Sequence, residues 1–165
     1  QVTVELLDPR HARDRITCDP LAAAEIGRLA GKREGLRERI ERAIADTYPD
    51  APVVYLEDLE AVVTELIQAP GLEERVGWTK LSGDERAVLL ALNELLGSGL
   101  RAHVRGVEIR RCLMDSHPGR LVNWNRVIKD LVRKGFLQEQ DGLYRIRVGL
   151  LRRWMVERDV AVRVV

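Results

Sequence analysis

Apolar residues recur every three or four positions along most of this 165-residue chain, a spacing that is typical of amphipathic helices. In the first half, the spacing predicts helices over residues 20–30, about 33–48 and 57–68. The run from Val2 to Leu6 alternates instead and predicts a short strand, after which Asp8-Pro9-Arg10 predicts a helix to about Ile16. The first half is therefore expected to be a helical bundle behind one strand.

The same spacing predicts which side of each helix is buried. Asp19 before Pro20 marks the start of the 20–30 helix, in which Leu21, Ala24 and the residues from Ile26 to Leu29 supply the apolar positions. The next helix is expected to bury Leu36, Ile40, Ala43 and Ile44 and to turn Arg37, Glu38, Glu41 and Arg42 towards water.

The second half begins with a run of three predicted helices. Ser82 followed by Glu85 is a capping box, and it predicts a helix through an apolar run that stops at Gly97. Two further helices are predicted over about 106–115 and 121–134. All three are short and amphipathic, as in a small globular domain.

A hairpin pattern follows these helices. The runs 136–139 and 143–148 flank the turn Gln140-Asp141-Gly142, and a last helix is predicted from Leu150 to about Arg158. Three helices followed by a hairpin is the order of a winged helix-turn-helix. We therefore predict a mainly α chain, in which a helical lid bundle is followed by a winged helix-turn-helix with a β-hairpin wing.

Charge divides the chain into two parts. Residues 1–78 hold 10 Lys and Arg against 16 Asp and Glu, a net charge of −6, whereas residues 79–165 hold 17 against 10, a net charge of +7. The stretch 71–81 between them contains glycine and mixed charges without periodicity. The sequence thus predicts two domains, 1–78 and 79–165, with different partners.

Composition excludes several classes of protein. With 45% hydrophobic and 32% charged residues the chain is expected to be globular, and no apolar stretch reaches the ~20 residues of a bilayer span. Cys18 and Cys112 lie far apart and outside any C-x-x-C pattern, so they are expected to be small buried hydrophobes in a cytoplasmic protein. Because Gln1 opens directly into a strand, the sequence is expected to be a segment of a longer polypeptide.

The predicted 121–134 helix carries a cationic face opposite an apolar stripe that begins at Trp124. With the hairpin, it supplies the candidate residues for binding nucleic acid or a partner: Arg120, Asn123, Asn125, Arg126, Lys129, Arg133, Arg145 and Arg147. Asp130 within this face and Asp141 at the hairpin tip would repel phosphate. Protein docking is favoured on this ground, and DNA contact stays open.

No motif of an enzyme emerges. The glycines of Gly27–Arg33 stand one residue closer together than in a phosphate loop. Glu57 and Asp58 follow an apolar run, but they open a helix, where the dipole favours acids. The three histidines fall in separate elements without metal-ligand spacing. We therefore predict no catalytic residue, no metal site and no enzymatic activity in this chain.

Several short segments resemble a known family, the STAND-type signalling NTPases, which are relatives of the AAA+ proteins. Those similar to the winged-helix region after the ATPase core are Ser82-x-x-Glu85-Arg86-x-Val88-Leu89, Leu131-Val132-x-x-Gly135-Phe136-Leu137 and Tyr144-x-Ile146-Arg147-Val148-x-Leu150-x-Arg152-x-Trp154. Those similar to the end of the core and its helical lid are Leu6-Leu7-Asp8-x-x-His11-Ala12-x-x-x-Ile16-x-x-x-Pro20, Glu25-Ile26-x-x-Leu29-Ala30-Gly31 and Tyr55-Leu56-Glu57-Asp58-Leu59.

This resemblance implies a regulatory role. In the family, the lid closes over ATP, and the winged helix packs against the nucleotide domain or a neighbouring protomer. The resemblance implies ATP and magnesium for the parent protein and no cofactor in this fragment, whose partners would be the ATPase core of the same polypeptide or neighbouring protomers. It also implies that Arg33, just after Ala30-Gly31-Lys32, is the residue that reaches ATP. The expected function is to relay nucleotide state through protein contacts.

Two alternatives stay open. The order of lid and winged helix also resembles archaeal origin-recognition initiators, so a DNA-binding winged helix of an initiator or transcription regulator is the first alternative. A free-standing adaptor without an ATPase partner is the second. The segment from Tyr144 to Trp154 is similar to the signalling ATPases, and it favours the regulatory fragment.

Overall fold

A computed structural model describes residues 2–5, 15–97 and 101–157. The chain forms two compact units, Gln1–Val76 and Gly77–Val165. Most of the described residues are helical, as predicted for a mainly α protein, and a small antiparallel sheet lies in the second unit. None of the helices in these ranges is long and apolar enough to cross a membrane.

The first unit packs helices beside a two-stranded antiparallel sheet. Its elements are β1 (Val2–Glu5), β2 (Arg15–Cys18), α1 (Pro20–Ala30), α2 (Glu34–Thr47), α3 (Leu56–Gln68) and α4 (Leu72–Arg75). Val2 pairs with Cys18, and a parallel bridge joins Cys18 to Val54. The sequence predicted a helix that reaches Ile16. The end of this prediction is wrong, because Arg15 and Ile16 lie in β2. The rest of the prediction falls outside the described residues.

Local signals place the helices of this unit. The Asp19 carboxylate accepts a hydrogen bond from the Leu21 amide at 3.0 Å, and Gly31 ends α1 with a φ of 59°. The α3 stripe is buried as periodicity requires. Leu21, however, is 67% exposed, because the buried side of α1 is formed by Ala22, Ile26, Leu29 and Ala30.

Glu41 contradicts the prediction for α2, since it is only 2% exposed instead of facing water. The Arg37 guanidinium donates to its Oε1 at 2.9 Å. Burial raises the pKa of the Glu41 carboxyl, and the hydrogen bond from Arg37 only partly opposes this change. Burial, with the charges of Glu41 and Asp19, also raises the pKa of the Cys18 thiol. A carboxylate that packs beside the apolar residues of this unit therefore destabilises it at neutral pH.

We expect Glu41→Gln to stabilise the first unit at neutral pH. A carboxyl with a raised folded-state pKa stabilises below its unfolded pKa, and that contribution is lost as the pH rises through the folded pKa. The variant should therefore be more stable than the wild-type chain near pH 8, and the difference should vanish towards about pH 4.

Urea unfolding separates the two units in this test, because all three tryptophans lie in the second unit. Circular dichroism reports both units, and tryptophan fluorescence reports the second. Glu65→Gln on the exposed side of α3 is the matched control. A gain for Glu41→Gln that is equal at the two pH values, or no greater than that of Glu65→Gln, would contradict the prediction.

The second unit combines helices with a three-stranded antiparallel sheet. After a 3₁₀ turn at Trp78–Lys80, its elements are α5 (Gly83–Leu96), β3 (Val104–Arg105), α6 (Gly106–Ser116), α7 (Trp124–Arg133), β4 (Leu137–Gln140), β5 (Leu143–Ile146) and α8 (Gly149–Glu157). The strand order is β3-β5-β4, so the two-residue strand β3 pairs with the outer side of the β4–β5 hairpin. This strand was not predicted.

The predicted caps of this unit are present. Ser82 Oγ accepts from the Glu85 amide at 3.2 Å, and Glu85 Oε1 accepts from the Ser82 amide at 3.1 Å. Gly97 and Gly135 end α5 and α7. The predicted 121–134 helix begins three residues later than expected, because the Asn123 side chain caps it by accepting from the Arg126 amide at 3.4 Å.

The core of this unit closes around two tryptophans. Trp154 of α8 is 2% exposed, and its ring centroid lies 5.5 Å from that of Trp78 at an interplanar angle of 58°. The Arg86 guanidinium lies 5.5 Å from the Trp78 ring and donates to the Trp78 carbonyl at 3.1 Å. Arg152 Nη2 donates to the Gly97 carbonyl at 2.8 Å, which joins α8 to the end of α5.

Candidate interaction surface

The α7 cationic face, formed by Asn125, Arg126, Lys129 and Arg133, is exposed. On the opposite side, Val127, Ile128 and Leu131 are buried, as the periodicity predicts. Trp124 is half-buried rather than part of the closed core. The face is therefore available to a partner, and it offers cations and one amide.

Two of the predicted cations form ion pairs within the second unit. Arg120 Nη2 lies 2.8 Å from Asp84 Oδ1, and Arg133 Nη2 lies 3.0 Å from Asp130 Oδ1. Asp130 therefore neutralises its neighbour on the same face. Arg126 and Lys129 form no ion pair with the described residues. The cationic charge that can reach a phosphate backbone is lower than the sequence suggests.

The hairpin presents a mixed tip. Asp141 and Gly142 form a two-residue turn with φ values of 53° and 76°, which is the left-handed region that such a turn requires. The Gly142 amide donates to Glu139 Oε1 at 2.9 Å. Arg145 donates to Gln138 Oε1 at 2.7 Å, and Arg147 is half-buried. The tip itself thus carries carboxylates. The two arginines lie away from the tip, Arg145 on β5 and Arg147 directly after that strand.

Sequence reasoning missed an open depression of about 410 Å³ beside this tip. The N-terminus of α6, the hairpin tip and the first residue of α7 enclose it, and we call it the α6–hairpin depression. It is lined by Arg105, Gly106, Val107, Arg110, Trp124, Asp141, Gly142, Leu143 and Tyr144. The signal available in the sequence was Val107, an apolar residue placed off the buried stripe of its helix.

Arg33 lies in the first unit, at the position just before α2. Its Nη1 donates to the Val76 carbonyl at 2.8 Å, and burial lowers the pKa of its half-buried guanidinium. The guanidinium has further N–H donors on Nε and Nη2. The contact ties Arg33 to the last residue of its own unit, and the role of Arg33 in reaching ATP stays a prediction.

Comparisons with known proteins give no indication of what this surface binds. No protein-family model, curated protein or solved structure matches the chain. Within the described ranges, no group of three or more His, Cys, Asp or Glu side chains comes together to hold a metal ion. Both cysteines are free thiols: Cys18 is buried in the first unit, as predicted, whereas Cys112 is only half-buried in the second.

The structure places the predicted residues at three locations. Asn123, Asn125, Arg126, Lys129 and Arg133 share α7 or its cap, and Arg120 precedes them. Arg145 lies on β5, and Arg147 follows that strand. Arg33 is in the other unit. The exposed groups that meet at the depression, Val107 and Leu143, were outside the predicted set.

Proposed function

We propose that this chain is a regulatory fragment of a STAND/AAA+ type ATPase, in which the second unit is a winged helix that acts through protein contacts. The first unit would be the helical lid, and ATP and magnesium would belong to the core of the parent protein. The fragment itself would relay nucleotide state and carry no catalytic group.

The order of elements in the second unit supports the winged-helix part of this proposal. Helices α5, α6 and α7 are followed by a hairpin, and β3 completes a small sheet in the order β3-β5-β4. The helix α8 then packs its apolar side into the same core. Such a scaffold hosts both nucleic-acid and protein binding, so the choice between them depends on the surface.

The single observation that carries the choice is the internal pairing of the predicted cations. Arg120 and Arg133 are paired with carboxylates of their own unit, and the hairpin tip is Asp141. A face that binds a phosphate backbone needs several cations that release counterions on contact. The arrangement here, with cations and carboxylates side by side, is typical of surfaces that recognise a particular protein partner.

The relay can be tested once the reading frame upstream of Gln1 is known. A phosphate loop in the same frame would supply the ATPase core, which can be produced separately. The affinity of the labelled chain for that core should differ about fivefold or more between ADP and a non-hydrolysable ATP analogue. Equal affinities in the two nucleotide states, or an upstream frame without a phosphate loop, would overturn the proposal.

DNA binding is the second candidate, because Asn125, Arg126 and Lys129 form an exposed group on one helix face. A labelled duplex should distinguish the two functions in anisotropy measurements at about 50 and 200 mM salt. The protein-contact proposal expects no micromolar binding at either concentration and no effect of Arg126→Glu.

The matched control for that measurement is Arg111→Glu, which makes the same charge change on exposed α6. Micromolar affinity that falls steeply with salt, and that Arg126→Glu weakens more than Arg111→Glu does, would establish the DNA-binding function instead.

A further inference from the structure

We propose that the α6–hairpin depression binds a short acidic peptide segment that inserts one bulky apolar side chain. This inference rests on the proposed function, because it assumes that the second unit works through protein contacts. It adds to that function the location of the contact and the chemistry of the partner.

The depression exposes apolar side chains that a soluble surface usually buries. Val107 is 68% exposed at the start of α6, and Leu143 is 37% exposed at the start of β5. Half-buried Trp124 and Tyr144 complete the apolar lining. Covering these groups with one Leu- or Phe-sized side chain would remove apolar area from water, which is the main driving force of such contacts.

The floor of the depression is held in place by the backbone. The Gly106 amide donates to the Gly142 carbonyl at 3.3 Å and so joins the start of α6 to the hairpin turn. A Cβ at Gly106 would lie 3.2 Å from Tyr144 Cε2 and 3.6 Å from Trp124 Cζ2, so the absence of a side chain lets both rings approach. A pocket that is already formed costs little ordering on binding.

The charge at the rim selects an acidic partner. Arg105 and Arg110 are exposed on the α6 side, and Asp141 is the acid that lines the hairpin side. Glu108, on the same turn of α6, is paired with Arg101 at 2.9 Å, and its carboxylate also interacts with the charge of Arg105. Arg110 forms no ion pair with the described residues, so it is the rim cation that a carboxylate of the partner can pair with. A peptide with carboxylates on both sides of its apolar residue would complement this rim.

The test uses a fluorescein-labelled peptide with Leu-Phe at its centre and Glu-Asp on each side. Binding to the full chain is followed by anisotropy and by tryptophan fluorescence, to which Trp124 in the depression contributes beside the buried Trp78 and Trp154. Two further peptides replace either the acids by Gln and Asn or the Leu-Phe by Ser-Ser. We expect the acidic apolar peptide to bind about tenfold more tightly than either of them.

The chain offers matched controls for the two kinds of contact. Arg110→Glu should weaken binding about tenfold and Val107→Ser about fivefold, because each lines the depression. Arg111→Glu and Met114→Ser make the corresponding changes at exposed α6 positions that do not line it, and they should leave the affinity within about twofold. Circular dichroism of each variant checks that the fold is kept.

Three outcomes would overturn the inference: equal affinity for the three peptides, equal effects of Arg110→Glu and Arg111→Glu, and displacement of the peptide by an unlabelled DNA duplex. The last would assign the depression to nucleic acid. If no peptide binds, the inference about the depression fails, but the nucleotide-dependent affinity for the ATPase core can still be measured. Failure of the peptide site and failure of the proposed function are therefore distinguishable.

Discussion

Replacing Trp154 by alanine is expected to lower the free energy of unfolding of the second unit by about 3–5 kcal/mol. The indole is 2% exposed and packs against the Trp78 ring, so its removal leaves a cavity between α8 and the 3₁₀ turn. Leu150 and Leu151 are fully buried on the same helix and cannot move far to fill it. Urea unfolding followed by circular dichroism measures the loss.

The control is Val156→Ala, which shortens a side chain that is 58% exposed on the same helix. It should change stability by no more than about 0.5 kcal/mol. Trp154→Phe keeps an aromatic ring in the core and should cost less than the alanine change. If Trp154→Ala unfolds at the same urea concentration as Val156→Ala, the prediction that the Trp154–Trp78 contact stabilises the core is refuted.

Lys134→Met is the substitution with the second largest expected effect. Lys134 Nζ lies 2.8 Å from Glu85 Oε2 and 3.0 Å from Oε1, and Glu85 is 6% exposed. Removing the ammonium leaves a buried carboxylate without its cation. We expect a loss of about 2 kcal/mol, below the range for fully buried pairs because the Lys134 side chain is 37% exposed.

The pH dependence gives this prediction a second readout. Burial alone would raise the pKa of Glu85, but the hydrogen bonds from Lys134 and Ser82 outweigh it and lower the pKa. A lowered folded-state pKa contributes stability that is present above the unfolded pKa and is lost as the pH falls through the folded one. In Lys134→Met this loss of stability in acid should shrink.

A double-mutant cycle isolates the pair. Glu85→Gln removes the buried charge, so the double variant should recover part of the stability that Lys134→Met loses. Lys129→Met on the exposed face of α7 is the control and should change stability by no more than about 0.5 kcal/mol. Additive effects of Glu85→Gln and Lys134→Met would refute the coupling.

Helix ends were the features that the sequence predicted best, because their causes are local. Asp19 before Pro20, the Ser82–Glu85 capping box and the Asp141-Gly142 turn each depend on groups within a few residues of one another. The burial of the α3 and α7 stripes followed from spacing alone. These predictions needed no knowledge of distant parts of the chain.

The errors occurred where a distant segment decides the outcome. Arg15–Cys18 forms a strand because it pairs with Val2–Glu5, and β3 forms because it pairs with β5. The strand pattern of each partner was predicted, but the pairing itself is not visible in a window of neighbouring residues. Glu41 is buried on a helix whose pattern alone placed it towards water.

The candidate surface also combines features that the local sequence predicts with features that depend on distant segments. The α7 cationic face could be predicted, since charge and helical spacing are written in one short segment. The ion pair of Arg120 with Asp84 could not, because 36 positions separate the partners. The depression needs α6, α7 and the hairpin together, so Val107 gained its significance only from the fold.

The joining of α8 to α5 has a consequence for synthesis of the chain. Arg152 binds the carbonyl of Gly97, which lies 55 positions before it, and Trp154 packs against Trp78. The ribosome therefore makes α5 and the 3₁₀ turn well before the helix α8 that completes their core. The first unit is compact within Gln1–Val76, and we expect it to fold while translation continues. We expect the second unit to expose the apolar residues that α8 covers until α8 leaves the exit tunnel, so a nascent chain stalled before Gly149 should bind chaperones more than one that includes α8.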